Sequence, residues 1–183
     1  MDLYKKITQL NEKLIDLHKE YWHKEVVFTF EWWFVIGTLI LPWIIWWKLV
    51  DKSRIKEISY VGVMIMVLSF LLDQLGAALL LWSYPITLTP LSREVFDPAD
   101  FAILPLCYMM IYQYFPKWKV YSLAMILFGF FGAYVGGNLY EWLGIYKIYH
   151  WKHIYSVPIY FLIGVFVKYV MNKLTSIENK RYE

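Results

Sequence analysis

One aspartate of this chain lies where an ionisable side chain is rarely tolerated. Asp73 and Gln74 interrupt the otherwise apolar stretch SFLLDQLGAALLLW, which extends from Ser69 to Trp82. A charge at the centre of a bilayer costs about 2.5–3.5 kcal/mol on insertion scales, and ionisable residues there commonly mark functional sites. Two interpretations of Asp73 stay open. It is a functional acid, base or titrating group, or a structural one whose hydrogen bonds, with Gln74 donating nearby, fix helix packing.

Other polar residues lie near the ends of apolar segments. Glu31, in FTFEWWF, either reaches water beside its tryptophan neighbours or joins Asp73 in a polar pocket. Asn138 and Glu141, in GNLYEWLG, follow a later apolar segment. The topology indicated by the basic residues places all of these on one side of a membrane. The sequence therefore predicts an outward-facing polar cavity, with five candidate residues: Glu31, Asp73, Gln74, Asn138 and Glu141.

Two further motifs contain residue types that bind metals. Asp97 and Asp100, in FDPADF, have the spacing of a metal-binding pair, but Asp-Pro-x-Asp is also a favourable helix start, and we interpret both as helix caps. His150 and His153, in YHWKHIY, could hold a divalent ion together with nearby carboxylates. Loop histidines beside aromatic residues are more often interface residues. We therefore expect no metal and no cofactor.

The composition identifies the environment of the chain. Hydrophobic residues make up 60% of the 183 positions and aromatic residues 21%, against 18% charged residues, which is typical of a membrane protein. The net charge of +3 argues against a nucleic-acid-binding protein. The single Cys107 excludes an intrachain disulfide. We predict an all-α membrane protein, a bundle of about five transmembrane helices preceded by an amphipathic helix.

Five segments are long and apolar enough to cross a bilayer, which requires about 20 residues in a helix. The third is the shortest and contains Pro105. The predicted organisation is an N-terminal helix over 1–27, a transmembrane domain over 28–171 and a polar tail over 172–183. Within the domain the predicted spans are 28–47, 58–81, 99–115, 120–140 and 154–171. Near the inner ends of the third and fifth spans, Gln113 is predicted to hydrogen-bond in the packing and Lys168 to extend towards the headgroups.

Basic residues indicate the orientation, because cytoplasmic loops are enriched in lysine and arginine. The connections after the first and third spans and the C-terminal tail are richer in them than the connection after the second, which has only Arg93. We predict a multipass protein of the cytoplasmic membrane with its N-terminus outside and its C-terminus inside. The lysines of the N-terminal segment oppose this orientation, although acidic residues match them in number.

Two helix faces have a regular spacing. Leu3, Ile7, Leu10, Leu14, Leu17 and Tyr21 form an apolar heptad stripe. It predicts a helix lying on membrane lipids or on the bundle, or else a short coiled coil for a homodimer or a protein partner. Gly129, Ala133 and Gly137 recur every four residues, which lets helices approach closely. Internal packing, self-association and a groove for a lipid chain are the alternatives there.

Several longer stretches carry a resemblance to a known family. They are EWWFVIGTLILPWIIWWKLVDKSRIKEI, LLDQLGAALLLWSYP, LTP, FDPADFAILPLCYMMIYQYF and YEWLGIYKIYHWKHIYS. Over roughly residues 28–160 the chain resembles an uncharacterised family of small multipass membrane proteins from spore-forming Gram-positive bacteria. The resemblance implies an integral membrane protein of about five spans. It implies no activity and no catalytic residue.

Three functional hypotheses follow from these residues. The first is a non-enzymatic binding or scaffold component of the cell envelope, since the sequence contains no internal repeat, nucleotide-binding loop or nucleophile motif. The second is a small enzyme acting on a lipid or isoprenoid at the outer leaflet, with Asp73 or Glu31 as general acid or base. The third is a proton- or ion-coupled carrier that titrates Asp73.

Overall fold

The computed structural model describes residues 2–91 and 94–179, and these residues are mostly helical, as predicted. The π-helical turns Trp22–Val26, Ala99–Ile103 and Gly132–Gly136 extend three of the helices. Two short strands, β1 (Trp82–Ser83) and β2 (Lys147–Ile148), pair antiparallel, with Trp82 opposite Ile148. The α-helices are α1 (Leu3–Tyr21), α2 (Phe30–Leu49), α3 (Ile55–Ala78), α4 (Leu104–Tyr114), α5 (Trp118–Phe131), α6 (Gly137–Trp142) and α7 (His153–Asn179).

In the described part of the chain, four helical segments are long and apolar enough to cross a membrane: Phe30–Leu49, Lys52–Ala78, Trp118–Trp142 and His153–Glu178. The remaining predicted span, 99–115, corresponds to the turn Ala99–Ile103 and α4, a shorter helix. Helix α7 continues to Asn179, into the segment predicted as a polar tail over 172–183. Residues 180–183 lie outside the described residues.

The long helices are apolar on both their inner and outer faces. Ile58, Ile65 and Met125 form part of the buried core at 0% exposure. Leucines on the outer faces, such as Leu71 and Leu162, are 53% and 61% exposed. A helix that is apolar all round belongs in a large core or in a membrane. A chain of 183 residues has no such large core, so this surface is consistent with a multipass membrane protein.

The small residues of α5 and α6 pack against α7. A Cβ atom added at Gly129 would lie 3.2 Å from the carbonyl oxygen of Val157. One added at Gly137 would lie 2.8 Å from the His153 ring. This close approach supports internal packing for the stripe that includes Gly129 and Gly137.

Asp2 caps the N-terminus of helix α1, and its carboxylate accepts a hydrogen bond from the Tyr4 backbone N–H at 3.3 Å. No residue of α1 is buried, and its apolar stripe is exposed, from 40% at Tyr21 to 76% at Leu3. The helix joins the bundle at its end, where Trp22 Nε1 donates to the Thr87 carbonyl at 3.0 Å. What this apolar stripe binds, whether membrane lipids, a second copy of the chain or a protein partner, stays a prediction.

Polar side chains tie the elements at the opposite end of the bundle from β1 and β2. Gln113 donates to the Leu49 carbonyl at 3.1 Å and accepts from the Asp51 backbone N–H at 2.9 Å, so it is a packing hydrogen-bonder as predicted. Lys168 differs from its prediction, since it is only 2% exposed. The turn between α4 and α5 brings the carbonyls of Phe115 and Pro116 within 2.9 Å of its ammonium group.

Candidate functional site

A cavity of ≈ 250 Å³ lies between the second half of α3, the start of the α4 segment, α5–α6 and α7. We call it the Asp73 cavity. Most of its wall is apolar, with Ile65, Leu72, Ile103, Leu104, Phe128, Phe131, Ile159 and Ile163 among the lining residues. Its polar lining residues are Ser69, Asp73, Trp82, Tyr84, Asp97, Asp100, Tyr108, Tyr140, Tyr146, Trp151, His153, Ser156 and Tyr160.

Asp73 is held by the chain that follows α3. Its Oδ1 atom accepts hydrogen bonds from Trp82 Nε1 at 2.8 Å and from the Tyr84 hydroxyl. Residues two apart in an extended segment point to the same side, so Trp82 in β1 and Tyr84 directly after β1 both reach one carboxyl group. Asp73 is 8% exposed, and its Oδ2 atom has no hydrogen-bond partner among the described residues. The Oδ2 atom of this buried carboxyl group is therefore available to a hydrogen-bond donor from outside the described residues.

Close packing at Gly76 makes the position of Trp82 possible. Gly76 lies one turn after Asp73 on α3, and a Cβ atom there would lie 2.0 Å from the Trp82 ring. The Trp82 ring can therefore lie directly on the helix with its nitrogen at Asp73. Pairing of β1 with β2, and hydrogen bonds from the backbone N–H groups of Tyr149 and His150 to the Leu81 carbonyl, hold this part of the chain.

Asp97 and Asp100 also line the cavity. Asp97 directly precedes the helical turn that starts with Pro98, which is the helix-start position that the sequence predicts. Both aspartates are 4% exposed, and Asp100 Oδ2 has no hydrogen-bond partner within the described residues. Burial, reinforced by the nearby Asp100 carboxyl group, raises the pKa of Asp97 well above its usual range. The interpretation as caps alone is thus incomplete, because the fold turns both side chains to the cavity.

Aromatic rings surround the Asp73 carboxyl group. The Trp82 ring centre lies 5.2 Å from that of Trp151 and 6.5 Å from that of Tyr146. Tyr84 and Tyr146 lie 5.5 Å apart, centre to centre. Burial and the nearby carboxyl groups raise the pKa of Tyr84 well above its usual value, so its hydroxyl group keeps its proton and donates to Asp73.

Gln74 lies outside the Asp73 cavity, contrary to the prediction. Its side-chain amide donates to the Glu94 carbonyl at 2.8 Å, because successive helical residues face about 100° apart. The Glu94 carboxylate in turn accepts from the backbone N–H groups of Leu88 at 3.1 Å and Phe96 at 2.7 Å. Burial raises the pKa of Glu94. Gln74 therefore anchors the connection between α3 and α4 instead of bonding to Asp73.

Three other residues predicted to line the cavity are also absent from its wall. Glu31 is half-buried in the first turn of α2, away from the cavity, and Asn138 is exposed because Gly137 and Tyr140 take the cavity-facing positions of that helix. Glu141 lies beside the cavity, where its carboxylate pairs with His153 Nε2 at 3.0 Å. Asp73 is thus the one member of the five-residue prediction that lines the cavity. His153, which also lines it, is predicted from the sequence as an interface residue or a metal ligand.

The tyrosines are the part of the site that the sequence prediction missed. Tyr84 carried a usable signal, since it lies two residues after Trp82 in a short segment next to the end of an apolar run. Tyr108, Tyr140 and Tyr160 carried none, because tyrosines are common throughout this chain and are expected at membrane interfaces.

Chemically, the Asp73 cavity presents carboxyl and hydroxyl groups on an apolar wall. Within residues 2–91 and 94–179, no group of three or more metal-type ligands could hold an ion. His150 is exposed and His153 pairs with Glu141, so the two histidines do not share a site. Comparisons of the chain with protein-family models, curated proteins and solved structures gave no match.

Proposed function

We propose that this chain is a non-enzymatic integral protein of the cell envelope that binds a ligand in the Asp73 cavity. The observation that supports this proposal is the pair of buried oxygen atoms, Asp73 Oδ2 and Asp100 Oδ2, that have no hydrogen-bond partner within the described residues. Buried polar groups in proteins are nearly always hydrogen-bonded, and each exception requires a physical explanation. A bound ligand beside both atoms supplies one.

The energetic reason is the cost of desolvation. A buried acceptor left without a donor costs about 1–3 kcal/mol, and more when the group is charged. Two such groups beside one cavity are expensive for a protein whose net stability is about 5–15 kcal/mol. A ligand that donates to both carboxyl groups offsets this cost, and its binding is correspondingly favoured.

The proposed protein crosses the cytoplasmic membrane five times. The α4 segment is the third of these spans and the shortest, and it runs most of the depth of the bundle. Near its start, Ser69 Oγ of α3 lies 3.5 Å from the Asp100 carbonyl, and near its end Gln113 contacts Leu49 at the end of α2. From Asp100 to Gln113 a helix rises about 20 Å. Packing against α3 lets this span be shorter than a lipid-exposed one.

The proposed orientation has the cavity end outside and the Lys168 end inside. Lys52 and Arg54 follow α2 at the Lys168 end, and Lys117 and Lys119 follow α4 there, which fits the enrichment of basic residues in cytoplasmic loops. Single cysteines placed at Lys119 and Lys147 in a Cys107→Ser background test this orientation. A membrane-impermeant thiol reagent added to intact cells should label only the second. The reverse pattern would place the cavity end inside.

Helix α1 is proposed to lie on the outer membrane surface, with its exposed apolar stripe on membrane lipids. A second copy of this chain or a protein partner on the stripe is the alternative. We also propose membership of the family that the chain resembles, which adds no activity to this function.

A copurification experiment tests the binding function. The protein is extracted from its native membrane in a mild detergent, and native mass spectrometry measures any bound small molecule. Wild-type protein should carry an occupant at up to one per chain, and Asp73→Asn and Asp100→Asn should each lose it. Glu31→Gln is the matched control, since it makes the same acid-to-amide change outside the cavity, and it should keep the occupant.

The same preparation separates the other functions. An occupant that Asp73→Asn retains, or none in any preparation, would contradict a binding site at Asp73. Chemical conversion of added lipid that depends on Asp73 would identify an enzyme. Proton or ion flux in proteoliposomes that depends on Asp73 would identify a carrier.

A further inference from the structure

The ionisable side chains that line the Asp73 cavity are mostly acidic. Three carboxyl groups line it, those of Asp73, Asp97 and Asp100, and none of its lining residues within 2–91 and 94–179 is a lysine or arginine. The one basic side chain in the wall, His153, is already paired with Glu141. No lysine or arginine of the lining can balance these carboxyl groups when they ionise, whereas a bound cation would favour their ionised form.

The aromatic residues next to Asp73 are of the types that recognise organic cations. Trp82, Tyr84, Tyr146 and Trp151 form a connected group with ring centres 5.2–6.5 Å apart. Faces of tryptophan and tyrosine rings attract ammonium groups, and cages of such rings bind quaternary ammonium ligands. The carboxyl groups of Asp73 and its neighbours would add the counter-charge. A metal ion fits less well, since the described residues lack a three-ligand group and present large rings instead.

The size and wall of the cavity define the rest of the ligand. A volume of ≈ 250 Å³ corresponds to about eight water molecules at about 30 Å³ each, enough for a small head group. Leu72 and Phe131 line the cavity and are also 43% and 63% exposed on the outer surface of the helices. The cavity therefore reaches the surface that faces lipid, where an apolar chain can leave it.

We infer that the Asp73 cavity binds an amphipathic cation, with an amine or quaternary ammonium group beside Asp73 and Asp100 and an apolar chain passing Leu72 and Phe131 into the lipid. This inference rests on the proposed binding function and names the chemical class of its ligand. Unpartnered oxygens on Asp73 and Asp100 accept hydrogen bonds from an amine or contact an ammonium group.

Binding of simple probes tests the inference directly. Protein in maltoside detergent is titrated with decyltrimethylammonium, decanesulfonate and tetramethylammonium. Binding is followed by tryptophan fluorescence, since Trp82 and Trp151, two of the ten tryptophans, line the cavity. Decyltrimethylammonium should bind at least about tenfold more tightly than decanesulfonate, since a buried unit charge readily contributes that factor. Asp73→Asn and Asp100→Asn should each weaken it by about tenfold, whereas Glu31→Gln should leave it unchanged. These variants control for partitioning of the probes into micelles.

The outcomes separate the two parts of the inference. Equal binding of decyltrimethylammonium and decanesulfonate would overturn the preference for cations. If tetramethylammonium binds as tightly as decyltrimethylammonium, the site takes a free cation, and the proposed path of the apolar chain is wrong.

Thiol labelling separates failure of this inference from failure of the proposed function. Cys107 lines the cavity and is the only cysteine of the chain. Its reaction with a neutral, a cationic and an anionic methanethiosulfonate reagent is measured relative to a free thiol. We expect the cationic reagent to react at least about tenfold faster than the anionic one, and Asp73→Asn to reduce this ratio.

If the neutral reagent enters and the charged reagents react equally, the cavity is a binding site but not one for cations. If no reagent reaches Cys107 and no occupant copurifies, the proposed function fails together with the inference.

Discussion

Substitution of Gly76 by alanine tests how the Asp73 cavity is built. A Cβ atom at this position would lie 2.0, 2.1 and 2.7 Å from three atoms of the Trp82 ring. Carbon atoms pack at about 3.5–4.0 Å, so the ring must move by about 1.5 Å. That movement breaks the 2.8 Å hydrogen bond from Trp82 Nε1 to Asp73, because such bonds weaken beyond about 3.2 Å.

The expected cost combines three effects. Overpacking costs about 1–3 kcal/mol. Losing the hydrogen bond to the Asp73 carboxyl group costs about 0.5–3 kcal/mol. Alanine gains about 1 kcal/mol over glycine within a helix such as α3. Gly76→Ala should therefore lower the free energy of unfolding by about 0.5–5 kcal/mol.

The assay is reversible unfolding of the purified protein in mixed micelles of maltoside and dodecyl sulfate. Gly37→Ala is the matched control, since an added Cβ atom in α2 meets nothing closer than 4.0 Å, and it should be neutral or slightly stabilising. A second background, Trp82→Ala, removes the clash, so Gly76→Ala should cost nothing there. An equal loss of stability in both backgrounds would refute the packing of Trp82 on Gly76.

The remaining predictions use the same unfolding assay. Lys168→Met should cost about 2–4 kcal/mol, because two carbonyl acceptors lose their buried donor; a change within about 0.5 kcal/mol would show that water replaces the ammonium group. Burial holds the pKa of Asp97 in the native state above its value in the unfolded state. The native state therefore keeps the Asp97 proton to higher pH, and the free energy of unfolding falls as the pH rises from the unfolded-state pKa to the native-state pKa. Asp97→Asn should flatten this decline, which Asp73, Asp100 and Glu94 also shape, and an unchanged pH dependence would contradict the burial of Asp97. Removal of α1 should leave the free energy of unfolding within about 0.5 kcal/mol, since none of its residues is buried, and a larger loss would reveal a contact with the bundle.

The long helices could be predicted because their signal is local. An apolar run of about 20 residues is sufficient to indicate a membrane-crossing helix, whatever the rest of the chain does. The predicted span 28–47 differs by only two residues at each end from α2. The end of α7 could not be placed in the same way, because the residues from 172 onward are more polar and no longer carry that signal, although the helix continues through them.

The candidate site could be predicted only in part. Asp73 was identifiable because a carboxyl group in an apolar run is conspicuous wherever its partners lie. Gln74 was grouped with it because the two are adjacent in sequence, yet adjacent helical residues face different directions, and Gln74 instead bonds to Glu94. Side-chain direction around each helix depends on how the helices pack, and sequence proximity does not give it.

By itself, the sequence determined the helical class and the approximate position of the long apolar helices, since these depend on composition and local hydrophobicity. Only the tertiary structure decided that Asp97 and Asp100 share a cavity with Asp73. It alone also showed that Trp82 and Tyr84 donate hydrogen bonds to the Asp73 carboxyl group. The physical reason is that a cavity is formed by surfaces that several helices leave unfilled. Its lining depends on helix rotation and on close approaches such as Trp82 on Gly76, which are properties of the packed bundle and of no single segment.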